Sequence, residues 1–329
     1  MIPGIINKIF GISVQDDFVK TALEIFHYQA EANEVYRKFL GLLRIRRSDI
    51  DSPEKIPFLP ASFFRDHRII TGKSGEETVF ESSGTSGPAV SRHYVTDTSV
   101  YRESFLRTFS LFYGDPSAYL VAALLPSYTE RENSSLVYMM NEIIRKSANP
   151  GSGFFADNIP AMLSNIDTAQ TKGEKILLIG VSFALLDLAE RYSPDLEGVI
   201  VMETGGMKGR RKEITRNELH SILQKGFNVT SIHSEYGMTE LLSQAYSKCG
   251  GVFHAPPWMK VIIRDPQDPL SVISEPGRTG GINIIDLANV NSCSFIATDD
   301  MGKLHEDGSF EVLGRLDNSD IRGCNLMIE

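Results

Sequence analysis

The sequence holds few cysteines and no long hydrophobic run, and each absence excludes a class of protein. Three widely spaced cysteines, an odd number, do not predict a disulfide framework, so we expect a reducing, cytoplasmic setting. No apolar run approaches the ~20 residues that a helix needs to cross a bilayer. The segment 1–12 is mildly apolar, but it carries Lys8 and lacks an evident cleavage site, so we interpret it as mature sequence.

Positive charge is also scarce, because 33 lysines and arginines face 42 aspartates and glutamates, a formal net charge of −9. That balance argues against a nucleic-acid partner, which needs a basic surface. It still permits a phosphate ligand, since a few local cations and backbone N–H groups are enough to hold one. The sequence contains no internal repeat or low-complexity tract, and it indicates no oligomeric state.

Hydrophobic spacing divides the chain into three parts. Residues 1–77 show helical spacing and are expected to form a helical N-terminal segment packed on the body. Residues 78–251 alternate short apolar runs with helical patterns and are expected to form an α/β core, and residues 252–329 are expected to form a β-rich subdomain. The alternation predicts an α/β fold in which helices flank a mostly parallel sheet.

The expected elements of the core alternate along the chain. Strands are predicted at 119–125, 175–179, 198–202 and 229–232, and helices at 101–111, 134–146, 183–192 and 216–225. In the C-terminal part, strands are predicted at 259–264, 281–286, 294–298 and 310–313. Prolines interrupt the pattern at 56–64, which is therefore expected to be a packed loop.

A loop rich in glycine and hydroxyl side chains follows the apolar stretch that ends at Phe80. Glycines let backbone N–H groups converge on an anion, and serine and threonine add donors, so the loop suits the phosphates of a nucleotide. It is not a Walker loop, because no Gly-x-x-x-x-Gly-Lys is present. The alternative is a flexible surface turn. The residues of this candidate phosphate loop are Ser82, Ser83, Gly84, Thr85, Ser86 and Gly87.

A second motif follows the predicted strand 229–232 and reads Tyr236-Gly237-Met238-Thr239-Glu240. The aromatic face can stack on a base, and glycine permits close approach of a ligand. The threonine and glutamate oxygens can contact phosphate and hold Mg²⁺. The alternative is an ordinary helix start, since threonine and glutamate are common in a first turn.

A third motif joins Thr298-Asp299-Asp300 with the downstream Gly314-Arg315-Leu316-Asp317. An acidic side chain at a strand end can accept hydrogen bonds from two ribose hydroxyls, and a downstream arginine can reach the same nucleotide. Taken alone, both segments are equally typical of turns, in which Asp and Gly dominate.

The order and spacing of these motifs resemble the adenylate-forming superfamily, which includes acyl-CoA synthetases and the adenylation domains of peptide synthetases. The resemblance covers the chain from about 81 to 323. It implies ATP and Mg²⁺ as cofactors, with phosphate bound at the candidate loop. It also implies adenine stacked on Tyr236, Mg²⁺ on Glu240, ribose on Asp300, and a ribose or phosphate contact from Arg315. The loop departs from the usual Pro-Lys ending of the superfamily, and Arg92 is the nearest cation.

A narrower resemblance spans nearly the whole chain and is to the LuxE-type acyl-protein synthetases of bacterial fatty-acid reductase systems. The segments that carry it are 56–64, 125–128, the run Glu-Thr-Gly-Gly-Met-Lys-Gly at 203–209, and 322–326. It implies activation of a fatty acid as acyl-AMP, transfer of the acyl group to a cysteine at the position of Cys324, and hand-over to a reductase-like partner protein. Gly205 and Gly206 are then expected to line the nucleotide site.

The chain ends six residues after Gly323, so we expect no C-terminal lid domain, which in the superfamily carries a catalytic lysine. Another cation must then stabilise charge at the α-phosphate, and Lys208 is the candidate. Lys208 stands in a cluster of basic residues with Arg210, Arg211 and Lys212, and the alternative for this cluster is a solvated turn. Two alternative functions follow, namely an acyl-CoA ligase core that needs a separate lid protein, or a remnant that binds ATP without turnover.

Two unrelated functions are compatible with shorter motifs. Gly180-Val181-Ser182 lies between a predicted strand and a predicted helix, as the nucleophile of a serine hydrolase does, although Ala184 replaces the expected glycine. We expect Ser182 to be a helix N-cap instead. The Gly-x-Gly-x-x-Ala at 151–156 lacks the preceding strand of a dinucleotide site. Cys249 and Cys293 are expected to be inert, and Cys249 with His254 supplies too few ligands for structural zinc.

Overall fold

The computed structural model describes residues 2–82, 90–126, 132–206, 211–212 and 214–316. The chain forms two compact units. The split unit comprises Met1–Gly75 and Pro257–Glu329, and the continuous unit comprises Glu76–Pro256. The helical N-terminal segment and the β-rich C-terminal segment, which the sequence analysis treats separately, therefore belong to one unit.

The elements are numbered along the chain. The helices are α1 (Ile5–Phe10), α2 (Gln15–Ala32), α3 (Glu34–Leu42), α4 (Phe63–Asp66), α5 (Thr98–Tyr113), α6 (Ser135–Ser147), α7 (Ile159–Thr171), α8 (Ser182–Tyr192) and α9 (Arg216–Phe227). The strands are β1 (Leu59–Pro60), β2 (Thr78–Glu81), β3 (Arg92–Val95), β4 (Tyr119–Leu124), β5 (Gly153–Phe154), β6 (Lys175–Val181), β7 (Ile200–Thr204), β8 (His233–Tyr236), β9 (Ala245–Ser247), β10 (Val252–Phe253), β11 (Met259–Arg264), β12 (Val272–Ile273), β13 (Thr279–Asp286), β14 (Phe295–Leu304) and β15 (Phe310–Arg315). No helix in the described ranges is long and apolar enough to cross a membrane.

The continuous unit is built on a six-stranded sheet with the strand order β5-β4-β6-β7-β8-β9. Every neighbouring pair is parallel except β8 with β9, which is antiparallel. Strand β4 is buried along its whole length, and β6 along all but its first residue. Strands buried on both faces are typical of a parallel sheet covered by helices, as the near-continuous apolar runs predict.

Helices α7, α8 and α9 cover one face of this sheet. Their apolar side chains form one buried cluster with alternate residues of the strands, among them Leu178, Val201, Leu185 and Leu223. Four of the five helices α5 to α9 begin at a residue whose side chain caps them, whereas α8 follows Val181, which does not. Thr215 Oγ1 accepts a hydrogen bond from the Glu218 backbone N–H at the start of α9, and the other caps of this kind are Asp97, Ser134 and Asn158.

The split unit carries an antiparallel sheet in the order β15-β14-β13-β11-β12, and β1 pairs in parallel with β14. Helices α2 and α3 are held to it by buried polar side chains. Gln29 Nε2 donates to the carbonyls of Asn289 and Val290, while the Ser294 backbone N–H donates to Gln29 Oε1. Asn33 Nδ2 likewise donates to the Ser292 carbonyl.

Strand β14 carries a bulge that the sequence analysis does not predict. Its residues pair with β13 at Ala297↔Asn283 and again at Met301↔Gly281. The single residue Ile282 therefore faces the three residues 298–300. We call this three-residue stretch the β14 bulge. Bulges bend a strand and change the direction of its side chains.

Several predicted elements differ from the observed ones. The strand expected at 229–232 is wrong, because the strand of that region is β8, four residues later. The loop expected at 56–64 contains the short β1 and α4. Asp300 lies within β14 rather than at a strand end, and helix α7 was not predicted. The remaining strands and helices expected in the core and in the C-terminal part are present, with bounds that differ by at most six residues.

Candidate active site

The predicted nucleotide motifs of the continuous unit lie at the carboxyl edge of its parallel strands. Gly205 and Gly206 directly follow β7, and the segment 237–240 directly follows β8, which is the next strand of the sheet. Open α/β sheets bind their ligands at this edge. Gly205, Gly206 and Gly237 are all exposed there, and Gly205 has a φ of 61°, which disfavours any other residue. The edge therefore presents bare backbone to a ligand.

A buried carboxylate lies just beneath Gly205. Glu203 Oε2 accepts a hydrogen bond of 3.1 Å from Ser182 Oγ, which also lies 3.2 Å from the Gly205 carbonyl oxygen. Glu203 Oε1 is 3.6 Å from both Arg216 Nε and His220 Nε2. Burial disfavours the charged form of Glu203, but hydrogen bonds from His220 and Ser234 and the charge of Arg216 hold its pKa below the ordinary value. Glu203 is thus a buried anion that ties helix α8 to the turn after β7.

A second buried carboxylate joins β7 to β8. Thr204 and Glu235 are direct partners in the parallel ladder, and Thr204 Oγ1 donates a hydrogen bond of 2.5 Å to Glu235 Oε2. A Cβ placed on Gly237 would lie 2.5 Å from Glu235 Oε1, so any other residue there would have to displace this carboxylate. The Glu235 carboxylate, held by Thr204, therefore favours the glycine that the sequence places after Tyr236.

Tyr236 is the last residue of β8 and is buried rather than exposed after a strand. Its ring packs at a tilt against Phe253, with 5.8 Å between ring centroids, and its hydroxyl lies 3.9 Å from Met238 Sδ. The Arg216 guanidinium lies over the same Phe253 ring, 5.0 Å from its centroid. Stacking of Tyr236 on adenine stays a prediction.

The segment 237–240 forms a turn and not the helix start that was the alternative. The Leu241 backbone N–H donates to the Met238 carbonyl, and His93 Nδ1 lies 2.8 Å from the Thr239 carbonyl oxygen. Because a carbonyl only accepts, this His93 nitrogen carries the proton. Glu240 is buried at the end of this turn. Its proposed role as a Mg²⁺ ligand is not tested by these contacts.

The hairpin of β2 and β3 flanks the candidate phosphate loop and contacts the turn at 237–240. Ser82 and Ser91 face each other through a backbone hydrogen bond from Ser82 N–H to the Ser91 carbonyl. The Ser91 backbone N–H donates in return to Ser82 Oγ. His93, which contacts Thr239, belongs to the same hairpin. Arg92 is exposed and paired with Glu81 at 3.1 Å.

Asp300 and Arg315 belong to the split unit, where they are direct partners on β14 and β15. Partners in an antiparallel ladder project from the same face of the sheet, with Cβ atoms about 5 Å apart. The Leu316 backbone N–H donates to the Asp299 carbonyl at 2.7 Å, which keeps the two strands together beyond this pair. The structure therefore brings together the aspartate and the arginine that the third motif predicts for one nucleotide.

Several predicted site residues lie outside the described residues. These are Ser83, Gly84, Thr85, Ser86 and Gly87 of the candidate phosphate loop, the catalytic candidate Lys208, and the predicted acyl carrier Cys324. Within the described ranges, no group of three or more His, Cys, Asp or Glu side chains is arranged to hold a metal ion.

The alternative nucleophile and the two described cysteines have clear environments. Ser182 is buried and donates to Glu203, and it is the first residue of α8 rather than its N-cap, which is Val181. A serine nucleophile needs an accessible hydroxyl next to a base, so this environment does not favour a hydrolase. Burial raises the pKa of the Cys293 thiol to about 12, whereas Cys249 is exposed.

Sequence reasoning missed the residues that support these motifs. Glu203 and Thr204 contribute to the family resemblance only as part of the run 203–209, and the sequence predicted no role for Glu235 or Arg264. The available signal was a charged side chain near the end of a mainly apolar strand, which occurs in β7 and β11, whereas the polar β8 gives no such signal for Glu235. Charged residues are rarely buried without partners, so such positions indicate a polar network.

The chain is similar to known ligases in sequence. The family profile described as "Acyl-protein synthetase, LuxE" matches residues 158–329, which is more than half of the chain. The long-chain-fatty-acid–luciferin-component ligase of Vibrio harveyi is 24% identical over 327 residues, which cover 92% of this chain and 84% of that ligase.

Solved structures of adenylate-forming enzymes share the fold. A 2-hydroxyisobutyryl-CoA ligase in complex with R3-HIB-AMP superposes with a TM-score of 0.66 at 11% identity, covering 92% of this chain and 69% of the ligase. ATP-bound MatB from Rhodopseudomonas palustris gives a TM-score of 0.53 at 14% identity, covering 74% of this chain and 49% of MatB. The amide bond synthetase McbA from Marinactinospora thermotolerans gives 0.51 at 17% identity, covering 84% of this chain and 54% of McbA. The chain thus spans about half the length of the last two.

These likenesses and the observed sheet confirm the predicted α/β fold, which is that of the large domain of adenylate-forming enzymes. The sequence resemblance is confirmed independently, because the family profile covers the carboxyl-edge motif after β8 and the whole of β11 to β15. On this evidence the chain is a ligase that belongs to the LuxE family of acyl-protein synthetases.

Proposed function

We propose that this protein uses ATP to activate a fatty acid as acyl-AMP and then transfers the acyl group to a protein cysteine. The observation that carries the proposal is the exposed backbone at the carboxyl edge, where Gly205, Gly206 and Gly237 directly follow two neighbouring strands. The family is one of acyl-protein synthetases, and the Vibrio harveyi relative is named for a long-chain fatty acid. Both names support a fatty acid as substrate and a protein as acceptor.

The carboxyl edge suits a nucleotide for physical reasons. Bare glycine backbone allows a flat purine or a phosphate to approach closely. Ser182, whose hydroxyl also contacts the buried Glu203, lies 3.2 Å from the Gly205 carbonyl, and Thr204 before it is bonded to the buried Glu235. We assign the adenine to Tyr236 with Gly205 and Gly206, and the phosphates to the turn of Met238 and Thr239. MatB was solved with ATP bound, which supports ATP as the nucleotide.

Asp300 and Arg315 are the proposed ribose and phosphate contacts. An aspartate that accepts from ribose hydroxyls forms charge-assisted hydrogen bonds, which are about twice as strong as neutral ones. A guanidinium beside it adds a donor for a phosphate oxygen. Their direct pairing on β14 and β15 supports a shared ligand for the two side chains.

Mg²⁺ fits the proposed site through Glu240. This ion keeps several waters and is usually held by one or two carboxylates together with substrate phosphates, so a cluster of protein ligands is not required. When bound, it would offset negative charge on the phosphates. Ser82 to Gly87 would supply further donors to those phosphates, and Lys208 would stabilise charge at the α-phosphate.

The proposed chemistry has two balanced steps. A carboxylate oxygen of the acid attacks the α-phosphorus of ATP, and pyrophosphate leaves, which gives acyl-AMP. The thiolate of Cys324 then attacks the acyl carbonyl, and AMP leaves, which gives a thioester. A reducing, cytoplasmic setting is part of this proposal, because the second step needs a free thiolate. A reductase-like protein would then take the acyl group from the thioester.

The first experiment is ATP–pyrophosphate exchange with Mg²⁺ and a series of acids from short to long chain. Exchange that depends on a fatty acid supports the activation step and identifies the preferred chain length. A folded protein that binds ATP but shows no exchange with any acid would instead be a nucleotide-binding remnant. Release of AMP that requires coenzyme A would indicate an acyl-CoA ligase.

The second experiment separates activation from transfer. We expect Cys324→Ala to abolish the mass increase of an acylated protein after incubation with ATP and acid, while exchange persists. The matched control is Cys249→Ala, which removes an exposed thiol and should leave acylation intact. Acylation that survives Cys324→Ala and disappears with Cys249→Ala would contradict the assignment.

A further inference from the structure

The β14 bulge leaves backbone groups that strand pairing would otherwise satisfy. Opposite Ile282, the residues 298–300 are out of register with β13, so their carbonyls and N–H groups need other partners. An unpaired buried backbone group costs about 1–3 kcal/mol. The bulge also contains Asp300, the residue proposed above to hold the ribose.

The side chain of Arg264, on β11 two strands away, supplies one such partner, to the carbonyl of Thr298, which is the buried residue of the three. Its Nη1 donates to the Ile282 carbonyl at 2.6 Å and to Asn283 Oδ1 at 2.9 Å. Its Nη2 donates to the Thr298 carbonyl at 2.5 Å. One buried guanidinium thus contacts both β13 and β14 at the point where their register shifts.

Thr298 extends this network to Asp300 itself. Its Oγ1 donates to the Ile282 carbonyl at 2.9 Å and accepts from the Asp300 backbone N–H at 3.1 Å. The backbone of Asp300 is therefore connected to Arg264 through one residue. On its other side, Asp300 is the ladder partner of Arg315.

Space for the guanidinium is provided by a glycine. A Cβ on Gly281 would lie 2.6 Å from Arg264 Cζ and 2.7 Å from its Nε. Only a residue without a side chain leaves this volume to the guanidinium. Gly281 on β13 therefore leaves the room that the Arg264 guanidinium on β11 occupies beside the bulge.

We propose that Arg264 is a positioning residue that fixes the β14 bulge and thereby aims the Asp300 carboxylate at the ribose. The inference rests on the proposed ATP-dependent function, because it takes the Asp300–ribose contact from it. A guanidinium suits this task better than an ammonium, since its planar fork directs two nitrogens at carbonyls on different strands. Arg264 acts through Asp300 and does not contact the nucleotide.

The test compares ATP with 2′-deoxy-ATP in fatty-acid-dependent pyrophosphate exchange. A charge-assisted hydrogen bond to the 2′-hydroxyl should give the parent protein a preference for ATP of about tenfold or more in kcat/KM. Asp300→Asn should reduce this preference to about threefold or less. We expect Arg264→Met to do the same, with the larger change in KM for ATP, and Arg264→Lys to be intermediate.

Two further variants keep the test decisive. Thr298→Val removes only the hydroxyl that links Asp300 to the network, and it should lower the preference for ATP even where Arg264→Met does not fold. Gln29→Met removes a buried side chain with comparable hydrogen bonds at the other end of β14. It should lower the unfolding midpoint without changing the ratio of ATP to 2′-deoxy-ATP.

The outcomes separate the inference from the function it rests on. If the parent shows no exchange with any acid, the proposed activation step is wrong. If it shows exchange but no preference for ATP over 2′-deoxy-ATP, the proposed contact of Asp300 with the ribose is wrong. If Asp300→Asn removes the preference but folded Arg264→Met and Thr298→Val keep it, the positioning role alone is overturned. If Gln29→Met also removes the preference, the effect of Arg264 is general loss of structure and the inference fails.

Discussion

Glu203 shows how a single residue can be buried and remain charged. Burial opposes its ionisation, and only the combined hydrogen bonds and positive charge around it lower the pKa. Such an anion contributes to stability above the pKa that it has in the unfolded chain, about 4.3 for a glutamate. The contribution is lost as the pH falls through the lower pKa of the folded state.

We therefore predict that Glu203→Gln lowers the free energy of unfolding near neutral pH by about 1–3 kcal/mol, because it removes the buried negative charge that faces Arg216 and His220. The same variant should flatten the acid side of the stability profile, since the parent loses this contribution below about pH 4.3. Urea unfolding at a series of pH values measures both effects.

The control for this prediction is Glu197→Gln, which alters an exposed glutamate just before β7. It should reproduce the stability and the pH profile of the parent. Equal acid sensitivity in the parent and in Glu203→Gln would mean that other carboxylates determine the loss of stability in acid.

Packing between elements explains a glycine that helix propensity alone would disfavour. Gly226 lies in α9, and a Cβ on it would lie 2.7 Å from the Ala189 Cβ of α8. The two helices therefore approach each other at a point where no side chain fits. Gly41 in α3 has no atom within 4 Å of such a Cβ.

The same substitution should have opposite effects in the two helices. Gly226→Ala is expected to lower the free energy of unfolding by about 1–3 kcal/mol, because overpacking forces α8 and α9 apart. Gly41→Ala is expected to raise it by about 0.5–1 kcal/mol, because alanine has less backbone entropy to lose in a helix. Urea unfolding of both variants measures the two changes, and a gain of stability in both would contradict the close packing of α8 on α9.

The strand at β8 shows where sequence reasoning succeeds and where it fails. Residues 229–232, with the apolar Val229 and Ile232 at their ends, predicted a strand, but the strand consists of His233, Ser234, Glu235 and Tyr236. A polar run is compatible with a buried strand only when distant partners satisfy it. Glu235 accepts a hydrogen bond from the Thr204 hydroxyl, and Ser234 Oγ lies 3.4 Å from His220 Nε2. Those partners are 14 and 31 positions away, so local periodicity cannot indicate them.

In the candidate site too, some features could be predicted from the sequence and others could not. The motif residues Tyr236 to Glu240 and Asp300 with Arg315 were found from residue type and order. The β14 bulge could not be predicted in this way, because it depends on Arg264, which reaches from β11 past β13 to Thr298 on β14. Strands β4 and β6, by contrast, were predicted well, since a run of buried apolar residues is visible in the sequence itself.

At the scale of the whole molecule, two compact units differ in what the sequence analysis assigns to them. The continuous unit carries the glycine-rich carboxyl edge, and the split unit carries Asp300 and Arg315. A ligand that binds only the native state raises the stability of whatever it binds by RT ln(1 + [L]/Kd). Thermal unfolding with ligands therefore reports on the proposed function without requiring turnover.

We predict that a stable analogue of fatty acyl-AMP stabilises the protein more than ATP or the fatty acid does alone, because it combines the contacts of both. At a concentration of about 100 Kd the gain is about 2.7 kcal/mol. The entropy of unfolding is about 2.1 cal/mol/K per residue, so cooperative unfolding of 329 residues would shift Tm by about 4 °C. Asp300→Asn should reduce the shift, and Glu197→Gln should preserve it. Equal shifts for adenosine and for the acyl analogue at the same ligand concentration would show that the acyl chain contributes no binding energy. The fatty-acid assignment would then have to be abandoned while nucleotide binding stood.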